Sequence, residues 1–182
     1  MAKSIVFFDT EVSVDDKKIH DIGAVHADKG IYHSSSVRDF CAFLSDVEYI
    51  CGHNIIHHDM MFLEEAIERK LSVKAIDTLY LSPLLFPKRP YHRLLKNDKL
   101  QVEELNNPVN DSQKAKDLFY DEVNAFFNLA IGRKKIFCGL LYGFEEFQGF
   151  FDYVDFRPYK YNMKQMILDG LTKYSGAIIF KL

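Results

Sequence analysis

The chain has no tryptophan, only five prolines and three cysteines in 182 residues, and each scarcity narrows what it can be. Cys41, Cys51 and Cys138 are odd in number and form no C-x-x-C pair, so neither a zinc ribbon nor a disulfide framework is supported. Reduced thiols in a cytoplasmic protein are the expectation. No apolar run approaches the roughly 20 residues of a membrane span. The four apolar residues 5–8 ahead of Asp9 are too few for a signal peptide, and no membrane partner is expected. Charge of one sign is also missing: 23 basic against 26 acidic residues give a net −3. Any contact with nucleic acid must therefore use a local basic patch rather than an overall field. No internal repeat or low-complexity tract occurs.

What is present is an ordinary globular composition, 48% hydrophobic and 27% charged, with 16 phenylalanines and 10 tyrosines to fill a core. The length suits one domain, or a domain with an appendage. Residues 4–8 and 19–26 read as strands, joined by the polar turn VSVDDKK, and Asp28-Lys29-Gly30 as a hairpin-type turn into IYHSSSV. The spacing of Val37, Phe40, Phe43 and Leu44 predicts a helix. EYIC, ending at Gly52, is a short strand; residues 60–70 are an amphipathic helix; residues 75–79 are another strand-like segment. Pro87 and Pro90 bracket the basic loop PKRPYHR, residues 94–105 are helical in part, and 111–129 is a long helix. Its apolar stripe is Ala115, Leu118, Phe119, Val123, Phe126 and Phe127. Strands first and helices later predict an α/β layer fold with a mixed sheet. Past Gly132 the aromatic segments punctuated by glycine predict a C-terminal helical extension, or the start of a following domain, over 131–182 after a first domain at 1–130.

Four acids stand where acids are least expected. Asp9 and Glu11 end the buried strand IVFF, Asp59 lies between GHN and an apolar helix, and Asp111 opens the long helix. Singly, Asp59 and Asp111 read as helix caps or first-turn acids that satisfy free N–H groups. Together, their order suggests one cleft. Four carboxylates gathered there would raise one another's pKa unless a counter-charge were present. Hard divalent cations with oxygen ligands, Mg²⁺ or Mn²⁺, relieve that repulsion. A pair of them about 4 Å apart can assist hydrolysis of a phosphodiester.

FFDTEVS, GHNIIHHDMMFL and NNPVNDSQKAKDLF resemble the three exonuclease motifs of the DEDD (DnaQ-like) 3′–5′ exonuclease superfamily, with IGAV and IDTLYL as matching context, over about residues 4–129. The resemblance implies a ribonuclease H-like fold, a mixed five-stranded sheet flanked by helices. It also implies two divalent cations, Mg²⁺ or Mn²⁺, held by Asp9, Glu11, Asp59 and Asp111, with Asp9 bridging. The implied activity is hydrolysis of terminal phosphodiesters of single-stranded DNA or short oligonucleotides to nucleoside monophosphates. Residues 10–12, with Thr10 and Val12, would lie against the terminal nucleotide, and Asn54, Phe62 and His92 are further candidates for substrate contact.

One position departs from the pattern. The general-base histidine of one branch falls on Asn106, and the tyrosine of the other on Asn107. An asparagine can hold a water but cannot take its proton at neutral pH. Three outcomes follow: metal-activated water alone suffices, another histidine (His57, His58 or His92) substitutes, or catalysis is weak or lost. The last is a different class of function, a degenerate exonuclease fold that binds nucleic acid or a partner without cutting. His53 of GHN reads as a structural tie between strand end and helix. Lys88, Arg89, Arg93 and Lys96 are the best candidates for tracking a phosphate backbone, with a solvated basic loop as the plain reading. RNA and DNA are not separable at this level. A chain that stops directly after GAIIFKL is expected to continue, in a layout resembling exonuclease modules fused to RecQ-type helicases or other DNA-repair proteins.

Overall fold

The computed structural model describes residues 3–13, 15–94 and 107–158, with positions 164, 165, 167 and 168. Asn106, Lys96, nearly all of the helix expected at 94–105, and most of the chain past 158 lie outside the described residues.

Among the described residues, five strands carry the fold: β1 (Ile5–Val12), β2 (Ile19–His26), β3 (Gly30–Ser34), β4 (Tyr49–Gly52) and β5 (Lys74–Asp77). They form one mixed sheet in the order β3-β2-β1-β4-β5. The hairpin-connected strands β1–β2 and β2–β3 pair antiparallel, while β1–β4 and β4–β5 pair parallel across helical crossovers. Six helices of the described chain flank the sheet: α1 (Val37–Phe43), α2 (Asp59–Ala66), α3 (Thr78–Leu85), α4 (Pro108–Asn128), α5 (Ile131–Leu141) and α6 (Glu145–Tyr153). The chain is thus α/β with a five-stranded mixed sheet. Among the described residues, no helix is long and apolar enough to cross a membrane.

β1 has period 2 but both faces are covered, so its first half reads as a continuous apolar run. Val6 and Phe8 point to the side of α1 and α2, joining Ile22, Phe40, Ile50, Ile55 and Leu63. Ile5 and Phe7 point the other way, into a core with Phe119 and Phe126 of α4 and Phe150 and Phe151 of α6. The rings there meet edge-on or tilted: Phe7–Phe119 at 5.6 Å, Phe126–Phe150 at 5.4 Å, Phe119–Phe150 at 6.4 Å. Each fully buried ring contributes about 1.5–3 kcal/mol over its exposed state.

α5 and α6, expected as an extension, are helices that complete this second core. α6 lies so close to β5 that a Cβ on Gly149 would meet the Ala75 carbonyl oxygen at 1.9 Å, so only glycine allows the approach. Four boundaries differ from the sequence reading. β1 runs on to Val12 and contains Asp9 and Glu11. The segment read as strand over 75–79 turns helical at Thr78, because the Asp77 carboxylate caps α3 by accepting from the Leu79 N–H. The helix expected at 60–70 begins at Asp59 and ends at Ala66, leaving Met61 exposed. α4 begins at Pro108 after the Asn107 cap, so Asp111 sits inside its first turn rather than opening it.

Candidate functional site

The acids of β1 occupy its last half. By alternation Asp9 and Glu11 share the α4 face with Phe7, and Thr10 shares the α2 face with Phe8. Thr10 is 6% exposed and bonds Asp59: its N–H donates to Asp59 Oδ1 at 2.8 Å and its hydroxyl to the same oxygen at 2.6 Å. Asp59, 2% exposed, is thereby fixed against the end of β1 from the first residue of α2. Its other oxygen lies 3.4 Å from His58 Nδ1. That contact holds the His58 imidazole above its ordinary pKa, and the charge of Glu11 acts in the same sense. Glu11 of the strand and Asp59 of the helix therefore both act on His58.

Asp111 reaches the same edge by a second route. Gly23 of β2 pairs with Asp9. A Cβ at Gly23 would stand 2.1 Å from the Val109 nitrogen and 2.7 Å from the Pro108 oxygen, so the missing side chain is what lets the first turn of α4 rest on β2. The Ser112 hydroxyl, buried, fastens that seat by lying 2.8 Å from the Gly23 oxygen and 2.6 Å from the Pro108 oxygen. The Asn107 side chain caps the turn by accepting from the Val109 N–H at 3.0 Å. Lys114, one turn on, donates to Asp111 Oδ1 at 2.9 Å.

The turn after β4 closes the site from the third side. Asp77 is fully buried and its carboxylate accepts from the N–H groups of Asn54 (2.8 Å), Ile56 (3.1 Å) and Leu79 (3.0 Å). Burial raises its pKa, against the pull of those three donors. Asn54 itself is left-handed (φ 70°), a conformation asparagine tolerates. His53 Nδ1 lies 2.8 Å from the Thr78 hydroxyl, which donates to the Gly52 oxygen at 3.1 Å. Nδ1 must then be the donor to Thr78, and Nε2 carries the lone pair; that nitrogen is buried with no hydrogen-bond partner among the described residues. Burial pushes the His53 pKa down to about 4, Asp111 opposing and His92 assisting. His53 thus ties the end of β4 to α3 rather than to α2, the helix that follows it in the chain, and it stays neutral.

The remaining candidates are dispersed. Val12 and Phe62 are half-buried, Phe62 meeting His58 edge-on at 5.4 Å. His92 Nδ1 lies 2.9 Å from the buried Ser82 hydroxyl, anchoring the basic loop to α3. His57 Nε2 lies 3.1 Å from Glu146 of α6.

Sequence reasoning missed four features. Lys114 was legible as a cation three residues after Asp111 on a helix. Asp77, before Thr78, had the signature of a cap. Glu122 falls on the stripe Ala115, Phe119, Phe126 and is fully buried, with neither oxygen hydrogen-bonded among the described residues. Burial pushes its carboxyl up to about 10, so it is protonated at neutral pH. The fourth is the surface trio His57, Glu145 and Glu146, whose ligand atoms lie within 4.8 Å of one another. It joins residues far apart in the chain and has no local signal.

The donor chemistry of the edge suits a hard divalent cation. All four acids offer carboxylate oxygens; Thr10 engages one oxygen of Asp59 and His58 lies beside the other, while Lys114 engages one oxygen of Asp111. No protein-family model and no curated protein sequence matches the chain.

Proposed function

We propose that the chain is a metal-dependent 3′–5′ exonuclease with a ribonuclease H-like fold, acting on the 3′ ends of single-stranded DNA or short oligonucleotides and releasing nucleoside monophosphates. What supports this most is the seat of α4 on Gly23: it sets the turn bearing Asp111 against the strand position of Asp9, while Thr10 draws Asp59 to the same strand end. Asp9, Glu11, Asp59 and Asp111 would hold two Mg²⁺ or Mn²⁺ ions. Such ions lower the pKa of water and neutralise charge on the leaving oxygen. Residues 10–12 would line the pocket of the terminal nucleotide, with Asn54, Phe62 and His92 as outlying contacts. Asn106, at the position of the family's base, would hold the attacking water by hydrogen bonding without accepting its proton.

A second reading, a binding module without catalysis, draws on the protein's own donors. Thr10 hydrogen-bonds Asp59 and Lys114 pairs with Asp111, so two of the four acids have donors from the protein itself. The deciding measurement is cleavage of 5′-labelled single-stranded DNA with Mg²⁺, Mn²⁺ or EDTA, beside Asp9→Ala. Stepwise shortening from the 3′ end that needs metal and vanishes in Asp9→Ala is expected. An intact substrate under every condition gives the function to the binding module.

A further inference from the structure

Beside the carboxylate edge, the loop 86–94 and α4 enclose an open groove of about 540 Å³, lined by Arg89, Pro90, Tyr91, Arg93, Lys114 and Leu118 among others. Among the described residues, three cations and no carboxylate line it, in a molecule whose net charge is −3. Tyr91 is 77% exposed, a large ring left largely open to solvent. The groove borders one of the acids: Lys114 belongs to its wall and also bonds Asp111 at 2.9 Å. Its loop is tied to α3 at one point and folds on itself at another. His92 bonds Ser82 of α3, and the Arg89 guanidinium lies over the Phe86 ring at 3.8 Å.

We infer that this groove is a single-strand nucleic-acid path leading to the carboxylate edge, with Arg89, Arg93 and Lys114 on successive phosphates and Tyr91 as a stacking platform for one base. The chemistry selects the occupant. Separated cations suit a repeating phosphate, and an exposed ring suits a base whose face is free, which a duplex does not offer. An acidic peptide would use the cations but would not need the ring. The inference rests on the exonuclease reading only for its direction, with the 3′ end at the acids and the path taking upstream nucleotides.

The test is binding of a fluorescent ten-residue oligo(dT) to the full chain in EDTA, followed by anisotropy at several salt concentrations. Arg89→Ala/Arg93→Ala is expected to weaken binding by about 10- to 100-fold. It should also flatten the salt dependence by about 1.4 in log–log slope, roughly 0.7 for each phosphate no longer neutralised. Tyr91→Ala should weaken binding by about 5- to 100-fold, and Tyr91→Phe should restore it, since stacking needs the ring and not the hydroxyl. Unchanged melting temperatures would establish that these exposed positions act on binding alone. Equal affinity of the variants and the parent overturns the path, and so does a poly-Glu peptide that competes as well as oligo(dT). Because the readout is taken without metal, it is independent of cleavage. A chain that never cuts but loses oligo(dT) in these variants keeps the path and loses the exonuclease reading.

Discussion

The two ends of α4 are held by different physics. Over 21 residues, about 30 Å, the helix passes from the carboxylate edge to the aromatic core. At its start, contact is directional: Asn107 caps the first turn, Ser112 grips the Gly23 carbonyl, and Lys114 bonds Asp111. From its middle to its far end, Phe119 and Phe126 are 0% and 1% exposed among rings of β1 and α6. The core end supplies stability through area, which tolerates small displacements in angle. The edge end supplies position through hydrogen bonds and one missing Cβ, which do not. Glu122 lies within the core end, between Phe119 and Phe126, yet its polar head has no hydrogen bond among the described residues.

Breaking the core end should have the largest effect on folding. Phe126→Ala is expected to lower unfolding free energy by about 3–5 kcal/mol in urea titrations. Gly23→Ala comes next, by about 1–3 kcal/mol, because the new Cβ must push the α4 backbone away. It should also depress cleavage beyond what the reduced stability explains, since it moves Asp111 relative to Asp9. A drop in stability with undiminished turnover would show that the seat does not position the site.

Glu122→Gln should produce a change that grows with pH. The folded carboxyl holds its proton up to about 10, while the unfolded one releases it near its ordinary value of 4.5. Above 4.5 the folded state binds more protons than the unfolded, so the parent loses stability as pH rises toward about 10. The glutamine variant lacks that slope. Melting curves from about pH 5 to 9 should therefore diverge, with the variant increasingly the more stable. Parallel curves would mean that the carboxyl is solvated. The smallest effect is reserved for Phe127→Ala, within about 0.5 kcal/mol, because this neighbour of Phe126 is 55% exposed. The contrast between two adjacent phenylalanines isolates burial from composition.

Much of the fold is legible in the residues alone. The strands IVFF and IGAV, the turn at Asp28-Lys29-Gly30 and the long α4 follow from period and turn chemistry, and all lie near their expected places. Phe127, expected on the buried stripe, is exposed: a stripe wide enough for Ala115 through Phe126 leaves the next residue about 100° away. The extent of β1 differs for a related reason. Carboxylates look like strand breakers, yet Asp9 and Glu11 continue the ladder to β2 because pairing uses only the backbone. The site is legible as a set of acids in order. Its supports are not, since Thr10–Asp59 and Gly23–Val109 join residues 49 and 86 positions apart.

By itself, then, the sequence determined the local matters: which segments pair or coil, which faces are apolar, and which acids lie where apolar residues would be cheaper. These depend on neighbours a few residues away, where period and propensity speak directly. Tertiary structure decided the rest. It packed the aromatic tail helices α5 and α6 into one of the two cores, made Gly23 a seat and Asp77 a knot, and gathered three cations and a tyrosine along one groove, with Lys114 on Asp111. Those outcomes depend on close approach between distant backbones, and a linear pattern carries no record of which surfaces will meet.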